Sequence, residues 1–384
     1  MSIPFIDLQA QRARIADRVN AAVLNVIESG RYILGPEVTE FEQKLAAYAA
    51  AKHCVSCANG TDALVLPLIA WRVGSGDAVF CPSFTFVATA EVVPWLGAEP
   101  VFVDIDPVTY NMDPDALDAA IQRVQAEGRL KPRAVIAVDL FGQPADYPRI
   151  AEIARRHGLK LIADSAQGFG CTLDGRHPAR WADVTTTSFF PAKPLGAYGD
   201  GGAVLTDDDA LADEFLSLRM HGQASKRDIE ERRFEHEAKY FNVRIGMNSR
   251  LDTVQAAILL AKLDIFDDEI AARGRVAERY NTLLAPHVAA VPRVIDGGLS
   301  VWAQYTIEHD NRDGLAAHLK AQGVPTAVYY PIPLHRQPAY ARFSAGGALP
   351  VSDAKAERVI SLPMHAYLDE PTQDRIVRAV ADFR

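Results

Sequence analysis

The chain has 384 residues, 49% of them hydrophobic and 23% charged, and a formal net charge of -9 at pH 7. Such a length implies one large core and a second, smaller unit, and the composition lies far from the disordered and collagen-like extremes. The acidic balance excludes a general nucleic-acid surface, which needs clustered Lys and Arg, so an anionic ligand must find a local basic pocket.

The opening residues MSIPFIDLQAQRARI lack the charged-then-apolar layout of a secretory signal. No apolar run approaches the roughly 18 residues that span a bilayer, so the expected location is the cytoplasm, with no membrane partner. The first strand-like run is HCVSCAN, followed by the amphipathic TDALVLPLIAWRV. Four cysteines, Cys54, Cys57, Cys81 and Cys171, form no disulfide framework in so long a chain and suit a reducing compartment. Cys54 and Cys57 make a CxxC behind His53, but structural zinc wants four ligands; the pair reads as small buried residues at a strand end, and no metal is expected.

The alternation continues with DAVFCPS and FVATAEVVPWLG, PVFVDI and DPDALDAAIQRVQAEG, RAVIAVDLF and DYPRIAEIARRHG, then LKLIAD. Strand followed by helix, repeated this way, predicts an α/β domain on a mostly parallel sheet. VFVDI and AVIAVD are nearly continuously apolar, as expected when helices cover both faces. Asp113 with Pro114, and Asp146, mark helix starts, while His157 and Gly158 mark a helix end. After two more strands, in WADVTTTSFF and GGAVLTDD, comes LADEFLSLRMHG and then the charged run SKRDIEERRFEHEAKY, which fits a helix with paired charges but reads better as an exposed loop or insertion without chemistry. The strong helical period of LDTVQAAILLAKLDIFDDEIAARGRVAERYNTLL leads into a smaller C-terminal domain holding VWAQYTIEH, GLAAHLKAQG, VPTAVYYPIPLH and a closing helix near PTQDRIVRAVADF. The expected division is a large domain over residues 1–255 and a small one over 256–384.

Four places could carry chemistry. Lys193 stands in SFFPAKPLGAYGDGGAV, between strand-like runs and among glycines that permit close backbone approach to a ligand. A partly desolvated lysine amine can act as a nucleophile toward carbonyls; equally, a lone lysine here is a surface residue in a turn. Asp164 ends the buried run LKLIAD, at the edge where open α/β sheets place ligands, and is also a good helix N-cap. Together they are the pair pyridoxal phosphate asks for, an amine for its carbonyl carbon and a carboxylate for its ring nitrogen. Asn59, Gly60 and Thr61 form a strand-to-helix turn whose free amides suit a phosphate, with Ser188, five positions before Lys193, as a further donor. Phe84 and Phe86 could stack on an aromatic ring or simply be core.

GTDAL, PSFTFVAT, PVFVDIDPVTYNMDP, ADSAQGFG, SFFPAKPLGAYGDGGAV, RMHGQ, GMNSRLDTVQAA and YYPIPLHRQPAY occur in an order that resembles the DegT/DnrJ/StrS-type aminotransferases, over essentially the whole chain. The resemblance implies the fold type I of pyridoxal-phosphate-dependent transferases, with a large domain on a mostly parallel central sheet flanked by helices and a smaller C-terminal α/β domain. It implies pyridoxal 5'-phosphate as cofactor, alternating with pyridoxamine 5'-phosphate, and ping-pong amino transfer to a keto sugar carried on a nucleotide. By the same resemblance Lys193 is the Schiff-base lysine and proton shuttle, Asp164 meets the pyridine nitrogen, and Gln167 meets the ring hydroxyl. Gly60, Thr61 and Ser188 hold the phosphate, and Phe86 stacks on the ring. Family members are homodimers with shared sites; Asn248 would reach the phosphate across the interface and Arg250 the substrate's carboxylate or phosphate.

Within the family, FIDLQAQ, YILGPEVTE, SCANGTDAL and NSRLDTVQAAILL are most similar to the branch that aminates C3 of UDP-2-acetamido-2-deoxy-3-oxo-D-glucuronate with L-glutamate, giving 2-oxoglutarate, for surface polysaccharide such as O-antigen. That branch has His-Tyr-Pro where this chain has Tyr329, Tyr330 and Pro331, the residues expected near the sugar. Amination at C4 of a 4-keto-6-deoxy nucleotide sugar would use the same cofactor residues. A non-catalytic regulator retaining the fold is the reading from another class, and the intact Lys193, Asp164 and Ser188 oppose it. Lys193 likewise opposes the related dehydratases, which carry histidine there.

Overall fold

Seven strands of the computed structural model, which describes residues 3–232, 240–343 and 348–383, form the central sheet. They are β1 (His53–Cys57), β2 (Asp77–Pro82), β3 (Glu99–Val103), β4 (Lys131–Val138), β5 (Lys160–Asp164), then, past the short β6 (Thr172–Leu173), β7 (Val184–Ser188) and β8 (Gly202–Thr206). Their order is β1-β8-β7-β5-β4-β2-β3. Only β8 runs against its neighbours; the other pairs are parallel.

The continuously apolar strands follow from helices on both faces. On one face Phe80, Val101, Val135, Ala137 and Leu161 pack against Leu117 and Ile121 of the helix Pro114–Glu127 and Ile150 of the helix Tyr147–Arg156. On the other, Val79, Phe102, Ile136 and Ile162 meet Leu64 and Leu68 of the helix Gly60–Ala70 and Val92 of the helix Ala88–Trp95. Alternate residues of one strand thus serve opposite layers, and each such fully buried side chain contributes about 1.5–3 kcal/mol.

The helix signals act as read. Asp113 Oδ1 accepts the Asp115 and Ala116 amides at 2.7 and 3.1 Å, Asp146 accepts from Arg149 N at 3.3 Å, and Gly158 takes φ +68° after the second helix. Cys54 and Cys57 sit in register against Leu205 and Gly202, and burial pushes both thiols up, leaving poor nucleophiles.

The charged run departs from its reading as a loop, because its first part is the helix Lys226–Arg232. Ser225 and Asp228 cap it reciprocally, Asp228 N to Ser225 Oγ at 3.1 Å and Ser225 N to Asp228 Oδ2 at 3.0 Å, and Arg227 pairs with Glu231 one turn on. The remainder, residues 233–239, lies outside the described residues. The long periodic stretch is two helices, Thr253–Leu263 and Phe266–Leu284, broken at Ile265, whose φ of -114° and ψ of 4° leave the helical region.

Beyond them, β9 (Gly298–Leu299) pairs with β6, and β10 (Tyr305–Glu308) pairs antiparallel with β11 (Val359–Leu362). The helices Arg312–Ala321 and Glu370–Ala381 cover that pair, with Tyr280, Ile307, Leu319, Leu362 and Ile376 in one cluster. Ile3 joins the same cluster, so the N-terminus packs with the C-terminal part of the chain. Ser83, after β2, ties the two parts: its carbonyl accepts Leu334 N at 2.9 Å, and its Oγ bonds His335 Nδ1 at 2.7 Å. No described helix is long and apolar enough to cross a membrane.

Candidate active site

Two strand ends meet at the carboxyl edge of the sheet, where the backbone leaves the ladder and side chains face a crevice. Asp164 is the last residue of β5, opposite Thr186 of β7, and Ser188 ends β7. Asp164 is buried, its Oδ2 accepting from Thr89 Oγ1 at 2.9 Å and its Oδ1 from Ala166 N at 3.2 Å. Burial raises its pKa, and the two hydrogen bonds and the Lys193 ammonium pull it back. Burial likewise lowers the pKa of Lys193, opposed by Asp164. The residue keeps some solvent contact, so the dense surroundings of its amine, rather than complete enclosure, drive that shift. The two attract without forming an ion pair among the described residues.

The loop bearing Lys193 is closed by its own backbone. Phe189 N donates to Gly201 O and Ala197 N to Phe189 O, each at 2.7 Å, while Lys193 N reaches Phe190 O at 2.8 Å. Glycines at its border permit close contacts: a Cβ on Gly202, the first residue of β8, would lie 2.3 Å from Asn59 O, and one on Gly60, in the turn after β1, would lie 2.6 Å from Ser188 Cβ. The turn after β1 and the ends of β7 and β8 therefore touch. Asn59 Oδ1 caps Asp62 N at 2.8 Å, and the first-turn amides of Gly60 and Thr61 have no intrahelical acceptor beside the Ser188 hydroxyl. That is a cradle for an anion.

Phe86 is 52% exposed, with a ring face available, and lies three residues before the Thr89 that holds Asp164. Phe84, by contrast, is fully buried. Gln167 accepts from Phe141 N at 3.0 Å through Oε1 and donates through Nε2 to Tyr330 OH, also at 3.0 Å. That bond brings Tyr330 to the neighbourhood of Asp164, and Tyr329 packs between Tyr330 and Phe5. Gly60, Thr61, Phe86, Asp164, Gln167, Ser188, Lys193 and Tyr330 thus form one region.

Among the described residues, Asn248 and Arg250 make no hydrogen bond to the side chains of that region. Asn248 is exposed and bridges only its backbone to Met220, while Arg250 NH1 contacts Met220 Sδ at 3.5 Å and its Nε has no partner among the described residues. Ser249 between them accepts Ala58 N at 3.1 Å and donates to Asp62 Oδ2 at 2.6 Å, which anchors the segment to the Gly60 turn of its own chain.

Two supporting groups escaped the sequence reading. Thr89 holds Asp164 from a helix whose pattern reads only as core. Asp139, just past β4, accepts from Ser165 Oγ at 2.5 Å, Tyr147 OH at 2.8 Å and Ala145 N at 3.2 Å, and burial pushes it up to about 7. A Cβ on Gly168 would come within 2.2 Å of Asp139 Cβ, so Asp139 braces the turn that follows Asp164. One signal could have revealed it, since DLF and ADSAQG both place an aspartate at the end of an apolar strand.

The residues fit pyridoxal phosphate. A buried carboxylate without a paired cation suits a protonated ring nitrogen, a half-buried amine with a lowered pKa suits a carbonyl carbon, and the amide and hydroxyl cradle suits a phosphate. Comparison with known proteins agrees. The DegT/DnrJ/EryC1/StrS aminotransferase family model matches residues 13–381. The UDP-2-acetamido-2-deoxy-3-oxo-D-glucuronate aminotransferase of Pseudomonas aeruginosa is 51% identical over 96% of each chain. A DegT DnrJ EryC1 StrS aminotransferase from Brucella abortus superposes with a TM-score of 0.94 at 54% identity, over 99% of both chains. A sugar aminotransferase from Streptococcus pneumoniae, solved in its PLP form, gives 0.86 at 25% identity, covering 99% of this chain and 98% of that one.

Proposed function

The chain belongs to the DegT/DnrJ/EryC1/StrS aminotransferase family, a pyridoxal-phosphate-dependent group, and from that premise we propose the reaction and the residues that serve it. The enzyme moves the amino group of L-glutamate onto a keto carbon of a nucleotide-linked sugar, C3 of UDP-2-acetamido-2-deoxy-3-oxo-D-glucuronate, in the cytoplasm and for surface polysaccharide such as O-antigen. The 51% identity to the Pseudomonas aeruginosa enzyme supports the sugar. The observation that carries the chemistry is buried Asp164 beside half-buried Lys193 at the carboxyl edge of the sheet.

Bound pyridoxal phosphate supplies the electron sink that makes the α proton of an amino acid removable. Asp164, steadied by Thr89 and the Ala166 amide, would hold a proton on the ring nitrogen. Lys193 Nζ would hold the cofactor at its carbonyl carbon and, when free, would carry the substrate proton; its lowered pKa keeps a larger neutral fraction available for both tasks. Gly60, Thr61 and Ser188 would bind the phosphate, Phe86 would stack on the ring, and Gln167 would meet the ring hydroxyl from a side chain already fixed by Phe141 and Tyr330. Tyr329 and Tyr330 contact the sugar.

In a homodimer with shared sites, Asn248 of each subunit reaches the other's phosphate and Arg250 reaches the substrate's anionic group. Neither makes a hydrogen bond to the Lys193 loop among the described residues, and the unpartnered Arg250 Nε supports that role. The working division is a large domain over 1–255 and a small one over 256–384. The test is purified protein with glutamate against a panel of 3-keto and 4-keto nucleotide sugars, with products identified by mass spectrometry. Amination of the 3-oxo glucuronate is expected; turnover confined to 4-keto sugars would overturn the sugar assignment.

A further inference from the structure

Lys262 is 2% exposed, on the helix Thr253–Leu263. Its Nζ donates to Gly196 O at 2.6 Å and stands 4.4 Å from the centroid of the Tyr198 ring. Burying an ammonium without a paired carboxylate is costly, and an apolar side chain of similar volume would avoid the cost. Glu269 is the carboxylate that acts on Lys262, but only through space, since its oxygens are taken by Gln11 Nε2 at 2.7 Å and by Tyr367 OH. Burial pushes the Lys262 amine down to about 8. The position therefore keeps a strong donor at the expense of stability, and its acceptor lies three residues past Lys193.

The geometry around that acceptor is tight. A Cβ on Gly196 would sit 2.4 Å from Pro191 O and 2.7 Å from Phe190 O, so the chain doubles back on itself there. Gln255, from the same helix, accepts Tyr198 N at 2.9 Å. One helix thus grips the far side of the lysine loop at two points, while the backbone bonds of Phe189 close its near side.

We infer that Lys262 is a positioning residue, whose ammonium, donating to Gly196 O and lying against Tyr198, fixes loop 190–198 and with it the place from which the Lys193 amine acts. The inference rests on the proposed function only for the role of Lys193; the grip on the loop stands on the contacts alone.

Amide hydrogen exchange on cofactor-free wild type, Lys262→Met and Lys262→Arg tests the grip. Losing one charge-assisted bond should speed exchange at Lys193, Ala197 and Tyr198 by about tenfold in Lys262→Met and leave the strands of the central sheet unchanged. Lys262→Arg, which keeps a charged donor, should recover most of the protection. An absorbance titration with pyridoxal phosphate should then show about tenfold weaker capture by Lys262→Met, and turnover should fall in kcat with KM unmoved. Wild-type exchange in Lys262→Met, or Lys262→Arg no better protected than Lys262→Met, would overturn the inference. Should Lys262→Met fail to fold, Tyr198→Leu removes the exposed ring face instead, and wild-type exchange there would count equally against it. A wild-type protein that captures no pyridoxal phosphate would sink the proposed function while leaving the exchange comparison decisive.

Discussion

At the scale of single residues, Asp164 and Lys193 are each ambiguous in the sequence and informative only as a pair. Burial raises the pKa of one and lowers that of the other, so both charged forms are disfavoured until a partner arrives. Lys193→Ala should therefore cut turnover by at least about 10²-fold, the lower bound for losing a positioned proton carrier, and abolish the borohydride-reducible absorbance of the bound cofactor while the far-ultraviolet dichroism stays native. Thr89→Val is the subtler test. It removes the hydroxyl that stabilises the charged form of Asp164, so the carboxyl pKa should rise further and cofactor affinity fall by about 1.5–3 kcal/mol in a titration at pH 7. Asp164 and Lys193 were legible because an apolar strand ending in aspartate and a lysine framed by glycines are local patterns. Thr89 and Lys262 were not, because each lies on a helix whose periodicity reports burial and says nothing of the acceptor it meets from another part of the chain.

At the scale of elements, the anion site proposed at the helix beginning at Gly60 depends on its close approach to the end of β7. Gly60→Ala places a Cβ 2.6 Å from Ser188 Cβ, and helix and strand must separate to admit it. Such overpacking costs about 1–3 kcal/mol of stability, but the larger effect should fall on the cofactor, since the cradle opens. An equilibrium titration is expected to show pyridoxal phosphate affinity reduced more than the denaturation midpoint predicts, and equal losses would mean that Gly60 serves packing alone. Helix starts were readable here because Asn59, Asp113 and Asp146 cap through their own side chains, a rule that spans three residues. The helix Lys226–Arg232 was misread because charge density suggested a solvated loop, whereas the reciprocal bonds of Ser225 and Asp228 and the Arg244 to Asp228 pair at 2.9 Å supply order that a charge count does not see. The break at Ile265 escaped for a similar reason, as the apolar period runs through it unchanged.

At the scale of the molecule, the class of fold was legible and the sheet order was not, since β8 enters between β1 and β7 through contacts that no local window contains. The same long-range packing buries two histidines, of which His365 lines a cleft with Lys193, and sets how the whole enzyme responds to acid. His177 and His365 are 6% and 3% exposed, and burial lowers each to about 4. In the unfolded chain both titrate near 6.5. Between those values the unfolded state binds more protons, so the stability from keeping the two rings neutral is fully present above about pH 6.5 and is lost as pH falls toward 4. Each ring contributes on the order of 3 kcal/mol to that loss. His365 is the sharper test, because neither ring nitrogen has a hydrogen-bond partner among the described residues, and no bond is forfeited by replacing it. Urea denaturation of wild type and His365→Leu from pH 4 to pH 7 should give a shallower acid slope in the variant, by the share of one proton, with the curves closest at pH 7. Parallel slopes would mean that His365 protonates as readily in the folded protein as in the unfolded chain.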